Sequence, residues 1–145
     1  MPRILFLCTG NAARSQMAEA LARKLASSEV EVWSAGTTPR GIHPLAVRTM
    51  AERGIDISQS TSKGLGQVPR QADIVVTLSD GAADQCPTFP TKTERIHWSL
   101  PDPSAARGSE EYRLAVFRGV AAEIESRLAR LLQDKGLFAR KEPLS

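Results

Sequence analysis

Aromatic side chains are scarce, at 5% of 145 residues, and cysteine occurs only at positions 8 and 86. The shortage of rings leaves the core to aliphatic side chains. Two cysteines exclude the dense disulfide framework of a small secreted scaffold. A chain of this length needs none, because a single core can bury most of its apolar surface. No apolar run approaches the ~20 residues of a membrane-spanning helix. The stretch Arg3-Ile-Leu-Phe-Leu-Cys8 is too short for a secretory leader and lacks a cleavage pattern. A reducing, cytoplasmic setting is therefore expected, where a pair of cysteines is more often catalytic or redox-active than a permanent cross-link. Charge of one sign is also lacking. The net charge of +3 is spread along the chain, without the basic face that nucleic acid requires, although a mild positive balance helps to draw in a small anion. There is no internal repeat, low-complexity tract or linker, so residues 1–145 read as one domain. His43, His97, Asp80 and Asp84 lack metal-ligand spacing, and no metal is expected.

What is present is an alternation of strand and helix patterns. Ile4–Leu7 is a continuous apolar run too short for a buried helix and reads as a buried parallel strand. Met17, Ala18, Leu21, Ala22 and Leu25 recur at helical spacing from Ser15 to about Ala26. Val30–Ser34 alternates as a second strand, ended by Ala35-Gly36. His43-Pro44 opens a helix carrying Ala46, Val47, Met50 and Ala51, with Gly54 beyond its end. Ala72–Leu78 is a third strand, followed by a loop from Ser79 to Cys86, and Arg95–Trp98 is a short fourth strand. His97 is read as packing at that strand's end. Leu100–Gly108 is loop. Leu114, Phe117, Ala121, Ile124, Leu128 and Leu131 line one face of a long helix from Glu110 to about Lys135, stopped by Gly136, and 140–145 are expected to fray. This order implies an α/β fold of three layers, a four-stranded parallel sheet flanked by helices on both faces. Ligands in such sheets bind beyond the carboxyl ends of the strands.

The loop after the first strand carries the chemistry. Cys8-Thr-Gly-Asn-Ala-Ala-Arg14-Ser15 places a cysteine at a strand end, an arginine at a helix start, and small or turn-forming residues between. Such a loop can wrap into a nest whose backbone N–H groups of Thr9, Gly10, Asn11, Ala12 and Ala13 turn inward. The following helix adds its N-terminal donors and positive dipole end, and Arg14 can clamp two oxygens at once. Gly10 permits unusual backbone geometry and Asn11 tolerates the left-handed region. The same field favours the thiolate of Cys8, to which Ser15 can donate. The sequence thus expects a tetrahedral oxyanion site built around a nucleophile.

The segment Cys8-Thr-Gly-Asn-Ala-Ala-Arg-Ser-Gln-Met-Ala-Glu19 resembles the low-molecular-weight protein tyrosine phosphatase fold. More closely, it resembles the arsenate reductases built on that fold and coupled to thioredoxin. Ser34-Ala-Gly36, Asp56-Ile-Ser58, Val75-Val-Thr-Leu78, His97-Trp98 and Asp102-Pro103 extend the resemblance over almost the whole chain. It implies a general acid at Asp102, which the chemistry needs because a departing oxygen requires a proton, with Pro103 stiffening the loop. It also implies two further cysteines after the third strand. Cys86 matches the second, but Ser79 stands at the first. Either Cys86 resolves Cys8 directly, or an external thiol does, or Ser79 stands where the natural chain has cysteine. Some members of the family carry at position 63 an aspartate that helps hold a potassium ion with residues like Asn11 and Glu19. Here Lys63 either replaces the ion and pairs with Glu19, or is solvated.

The resemblance implies that arsenate binds in the loop, with phosphate and sulfate as competitors, and that Cys8, Arg14, Ser15, Asp102 and Cys86 act in its reduction. A second thiol attacks the sulfur of the Cys8 adduct, and a thioredoxin-type protein or low-molecular-weight thiol restores the enzyme. No bound cofactor, nucleic acid or membrane partner is expected, and the chain is expected to be a monomer. The alternatives are a phosphatase for phosphotyrosine or small phosphoesters using the same Cys8, Arg14 and Asp102, against which the few aromatics tell mildly, and a regulatory oxyanion-binding module.

Overall fold

The computed structural model describes residues 2–69, 71–84, 86, 89 and 92–139. Four strands, β1 (Arg3–Cys8), β2 (Glu31–Gly36), β3 (Ile74–Thr77) and β4 (Glu94–His97), form a parallel sheet in the order β2-β1-β3-β4. The longer helices are α1 (Arg14–Leu25), α2 (Pro44–Ala51) and α4 (Glu110–Asp134). Boundaries fall within a residue or two of the sequence reading. The expectation for 140–145 lies outside the described residues.

The alternation of β1 sorts the core. Ile4, Phe6 and Cys8 point to the face covered by α1, α2 and α4, where they meet Met17, Leu21, Met50, Phe117 and Ile124. Leu5 and Leu7 point to the other face, against Ala35, Val68, Val75, Ala82 and Phe89. That second face is covered by α3 (Asp80–Asp84) and by the segments flanking β3. The short helix corrects the loop expected from Ser79 to Cys86. Ser79 starts it by accepting the Ala82 N–H at 3.1 Å, a cap too local to announce a helix by apolar period. Helix ends elsewhere follow their turn chemistry. Ser109 accepts the Tyr112 N–H to open α4, and Gly136, at φ +68, closes it in the left-handed conformation.

β1 and β3 are neighbours, but their onward connections run to opposite edges of the sheet. The crevice between their carboxyl ends is therefore the topological switch point at which such sheets bind ligands. The Cys8 loop opens there.

Candidate active site

The shape of the loop follows from where its carbonyls go. Thr37 N–H donates to Cys8 O (3.1 Å), Thr38 N–H to Thr9 O (2.8 Å), Arg40 N–H to Gly10 O (3.0 Å) and His43 N–H to Ala12 O (2.9 Å). Ser62 Oγ donates to Asn11 O (2.7 Å). Five successive carbonyls are thus drawn outward by the 37–43 segment and Ser62. The N–H groups of Gly10, Ala12 and Ala13 have no partner among the described residues and remain for an anion. Nothing in the sequence marks the 37–43 segment that holds these carbonyls.

Asn11 is the hub. It is fully buried and sits at φ +46, the only non-glycine residue in the left-handed region among those described. Gly10, expected to supply that freedom, lies outside the region. Its lack of a side chain serves packing instead, since a Cβ there would stand 3.3 Å from Arg40 Cδ. Asn11 Nδ2 donates to Ser15 Oγ (2.7 Å) and Ser34 Oγ (3.0 Å), and Oδ1 accepts from Gln16 Nε2 and Lys63 N–H (both 2.8 Å). Ser34 Oγ donates its hydrogen bond to Glu19 Oε1 (2.8 Å). The Ser15 hydroxyl proton is then free for Cys8 Sγ at 2.7 Å, and the Asn11 N–H reaches the same sulfur at 3.2 Å. Two donors thus converge on one buried sulfur.

Arg14 begins α1 and is 9% exposed. Its Nη1 donates to Leu100 O (3.0 Å), and its Nη2 lies 3.9 Å from Asp102 Oδ2. Asp102 caps a 3-10 turn, Pro103–Ala105, accepting from Ser104 N–H (3.0 Å) and Ser104 Oγ (2.6 Å). All of this leaves Oδ2 facing the cleft side of Arg14. Cys8, Thr9, Gly10, Ala12, Ala13, Arg14 and Asp102 line one cleft of about 400 Å³ together with Arg40, His43 and Ser104. A tetrahedral anion here would meet a nucleophilic sulfur, backbone donors, a guanidinium and a carboxyl group.

Two residues fall elsewhere than expected. Cys86 is half-buried against the Leu5/Leu7 face, and burial pushes its thiol pKa up, with Arg95 opposing. It is not brought to the Cys8 cleft. His97 is more than packing: Nδ1 pairs with Thr77 Oγ1 (2.7 Å) and Nε2 with Asp80 Oδ1 (3.0 Å), which Ser99 Oγ also reaches at 3.2 Å. The His97 and Ser99 hydrogen bonds hold the Asp80 carboxyl below its ordinary range. Lys63 is partly buried and paired rather than merely solvated. Its Nζ lies 3.8 Å from Glu19 Oε1 and donates to Thr61 O (3.1 Å). Among the described residues no group of three or more His, Cys, Asp or Glu is arranged to hold a metal ion, and no helix is long and apolar enough to cross a membrane.

His43 was legible only as a helix opener. Its Nδ1 accepts the Leu45 N–H (3.0 Å) and its ring packs 4.8 Å from Phe117. An imidazolium cannot accept that bond. Burial, then Arg113, lowers the His43 pKa below 6.5, while Asp102 opposes. The unfolded chain then binds the proton first, so stability is unchanged above 6.5 and falls as pH drops through the folded value. Melting temperature should decline over that interval, and less steeply in His43→Gln, as followed by circular dichroism.

The profile of the low molecular weight phosphotyrosine protein phosphatase family matches residues 3–141. The chain belongs to that family. Within it, the arsenate reductase of Halalkalibacterium halodurans is 49% identical over 126 residues, 86% of this chain and 91% of the relative. A structure of an arsenate reductase in the oxidized state superposes with a TM-score of 0.79 at 31% identity, covering 92% of this chain and 98% of that one. The thioredoxin-dependent arsenate reductase of Corynebacterium glutamicum gives 0.74 at 35% identity, over 92% of this chain and 61% of that one. The four-stranded parallel sheet and its flanking helices are the architecture of these family members.

Proposed function

We propose that this protein reduces arsenate to arsenite, for arsenic detoxification in the cytoplasm, as a single-domain monomer. The observation that selects arsenate from other oxyanions is the 49% identity to an arsenate reductase over 86% of the chain. The geometry supplies the chemistry. Arsenate sits on the N–H groups of the loop and on Arg14, where phosphate and sulfate compete. The Cys8 thiolate attacks arsenic, and Asp102 gives its proton to the oxygen that leaves as water. Ser15 Oγ and the Asn11 N–H hold the sulfur in place for the attack. Reduction takes two electrons, which two thiols supply on becoming one disulfide. The reductant is a thiol brought from outside, of the thioredoxin or low-molecular-weight kind, and no bound cofactor is needed.

The test follows NADPH consumption with arsenate in the presence of thioredoxin and its reductase, or glutathione and its reductase, beside hydrolysis of p-nitrophenyl phosphate. Arsenate-dependent consumption with either system supports the reading. Brisk phosphoester hydrolysis with no arsenate-dependent consumption in both would replace it with a phosphatase.

Lys63 is proposed to supply in place the positive charge that Glu19 needs beside the loop. Its side chain is 19% exposed and that of Glu19 8%, so losing the ammonium should cost about 2 kcal/mol, between the values for exposed and buried pairs. Urea unfolding of Lys63→Met measures this. Arsenate turnover should not depend on whether potassium or sodium is the buffer cation, and a strong rise with potassium would contradict the role.

A further inference from the structure

If the protein reduces arsenate, a second sulfur must meet the Cys8 adduct, and the structure bears on which one. Cys8 lies on the helix-covered face of the sheet with Ile4 and Phe6, whereas Cys86 packs on the opposite face with Leu5 and Leu7. A disulfide requires Cα atoms within ~4.4–6.8 Å and Cβ atoms turned toward each other. Bringing Cys86 over the carboxyl ends of the strands to Cys8 would require α3 to unwind, against the Ser79 cap and the contacts of Asp80 with His97 and Ser99. The place beside the loop is taken by Ser79, whose Oγ lies 3.1 Å from Thr9 Oγ1, and a hydroxyl forms no disulfide. Burial also raises the Cys86 thiol pKa, which lowers its thiolate fraction.

The cleft, in contrast, is open to a visitor. At about 400 Å³ it exceeds the needs of one tetrahedral anion. Arg40 stands on its rim, exposed, with its stem against Gly10 and its backbone N–H on Gly10 O. Among the described residues its guanidinium has no ion-pair partner. Cys8 is 2% exposed, with Asn11 N–H and Ser15 Oγ on its sulfur. Once arsenic caps that sulfur, a group entering the cleft meets arsenic first.

We propose that the second thiol comes from outside the chain, as a small carboxylate-bearing thiol that docks its carboxylate on Arg40 and delivers its sulfur to the arsenic bound at Cys8. This thiolate forms a sulfur–arsenic bond as the Cys8–arsenic bond breaks, and Cys8 leaves as the thiolate that Asn11 and Ser15 receive. A second molecule of the same thiol then attacks the sulfur of the thiol–arsenate. A disulfide of the two small thiols forms, the sulfur–arsenic electron pair stays on arsenic, and As(V) becomes As(III). Two thiols are oxidised for each arsenate reduced, and Cys86 takes no part.

The experiment uses the full chain with arsenate and either glutathione, which is anionic, or 2-mercaptoethanol, which is not, with arsenite quantified by chromatography. A charge-assisted pair on Arg40 should give glutathione a kcat/KM preference over 2-mercaptoethanol that falls by about tenfold in Arg40→Ala and returns in Arg40→Lys. Cys86→Ser should turn over at the wild-type rate. No Cys8–Cys86 disulfide should appear by mass spectrometry after arsenate is added to the reduced protein. An unchanged preference in Arg40→Ala overturns the docking. Loss of turnover in Cys86→Ser, a Cys8–Cys86 disulfide, or turnover with thioredoxin but with neither small thiol overturns the small-thiol route while leaving arsenate reduction intact. If arsenate neither raises the melting temperature nor is reduced with any thiol, the arsenate reading itself has failed.

Discussion

Exchange of Cys8 for serine is expected to remove arsenate turnover, by about 10⁴-fold or more, the order lost when an enzyme loses its nucleophile. The reason lies in the atom rather than the space. A sulfur nucleophile is intrinsically far stronger than a serine hydroxyl, which needs a general base in contact with it, and the only groups in hydrogen-bond contact with position 8 among the described residues are the Asn11 N–H and the Ser15 hydroxyl. Sulfur is also the atom whose bond to arsenic a second thiol can break. The donors of the loop are backbone groups fixed by the 37–43 segment, so binding should persist while chemistry stops. Arsenate should still raise the melting temperature of Cys8→Ser, and arsenite formation should fall to the uncatalysed rate.

Gly36→Ala is the second change with a large expected effect, although Gly36 belongs to β2 and touches no substrate. A Cβ there would stand 2.7 Å from Asn11 N, 2.7 Å from Thr9 O and 2.9 Å from Gly10 C. All three are backbone atoms, and none can swing aside. The strand end is pinned as well, since Gly36 N–H donates to Lys63 O at 2.8 Å. The loop must therefore move by the greater part of an ångström, which displaces the N–H groups meant for the oxyanion and the backbone of Asn11 together. A shift of that size costs about 10²-fold in kcat/KM, and the overpacking should cost about 1–3 kcal/mol in stability. Steady-state arsenite formation and urea unfolding measure the two losses. A variant with wild-type kcat/KM would show that the loop is not held by this contact.

Much of this was legible in the sequence because local signals agreed with the fold. The apolar run before Cys8, the helical spacing from Met17 to Leu25 and the glycines at 54 and 136 each announced an element, and the elements arrived where expected. The Cys8-to-Ser15 loop was legible for the same reason: strand, turn and helix start stand in chain order. Asp102, in an ordinary Asp-Pro loop, was legible as an acid only through the family resemblance. The holding of the loop was not. Thr37, Thr38 and Arg40 work through backbone N–H groups, which every residue carries, so their side chains gave no sign of it. Ser34, Gln16 and Ser62 are ordinary polar residues until the fold places them around Asn11. Cys86 was placed near the site by the family resemblance and by its position in the loop after the third strand, but which face of the sheet a residue packs on after a loop depends on the turn between. Here α3 carries it to the Leu5/Leu7 side.

The most direct measurement is the rate at which iodoacetamide alkylates each cysteine, read by peptide mass spectrometry with and without arsenate. The account predicts that Cys8 reacts faster than Cys86 at neutral pH, and that arsenate slows Cys8 saturably, sulfate more weakly, while leaving Cys86 unchanged. An alkylation rate of Cys8 indifferent to arsenate would contradict the claim that the loop from Cys8 to Ser15 is the oxyanion site.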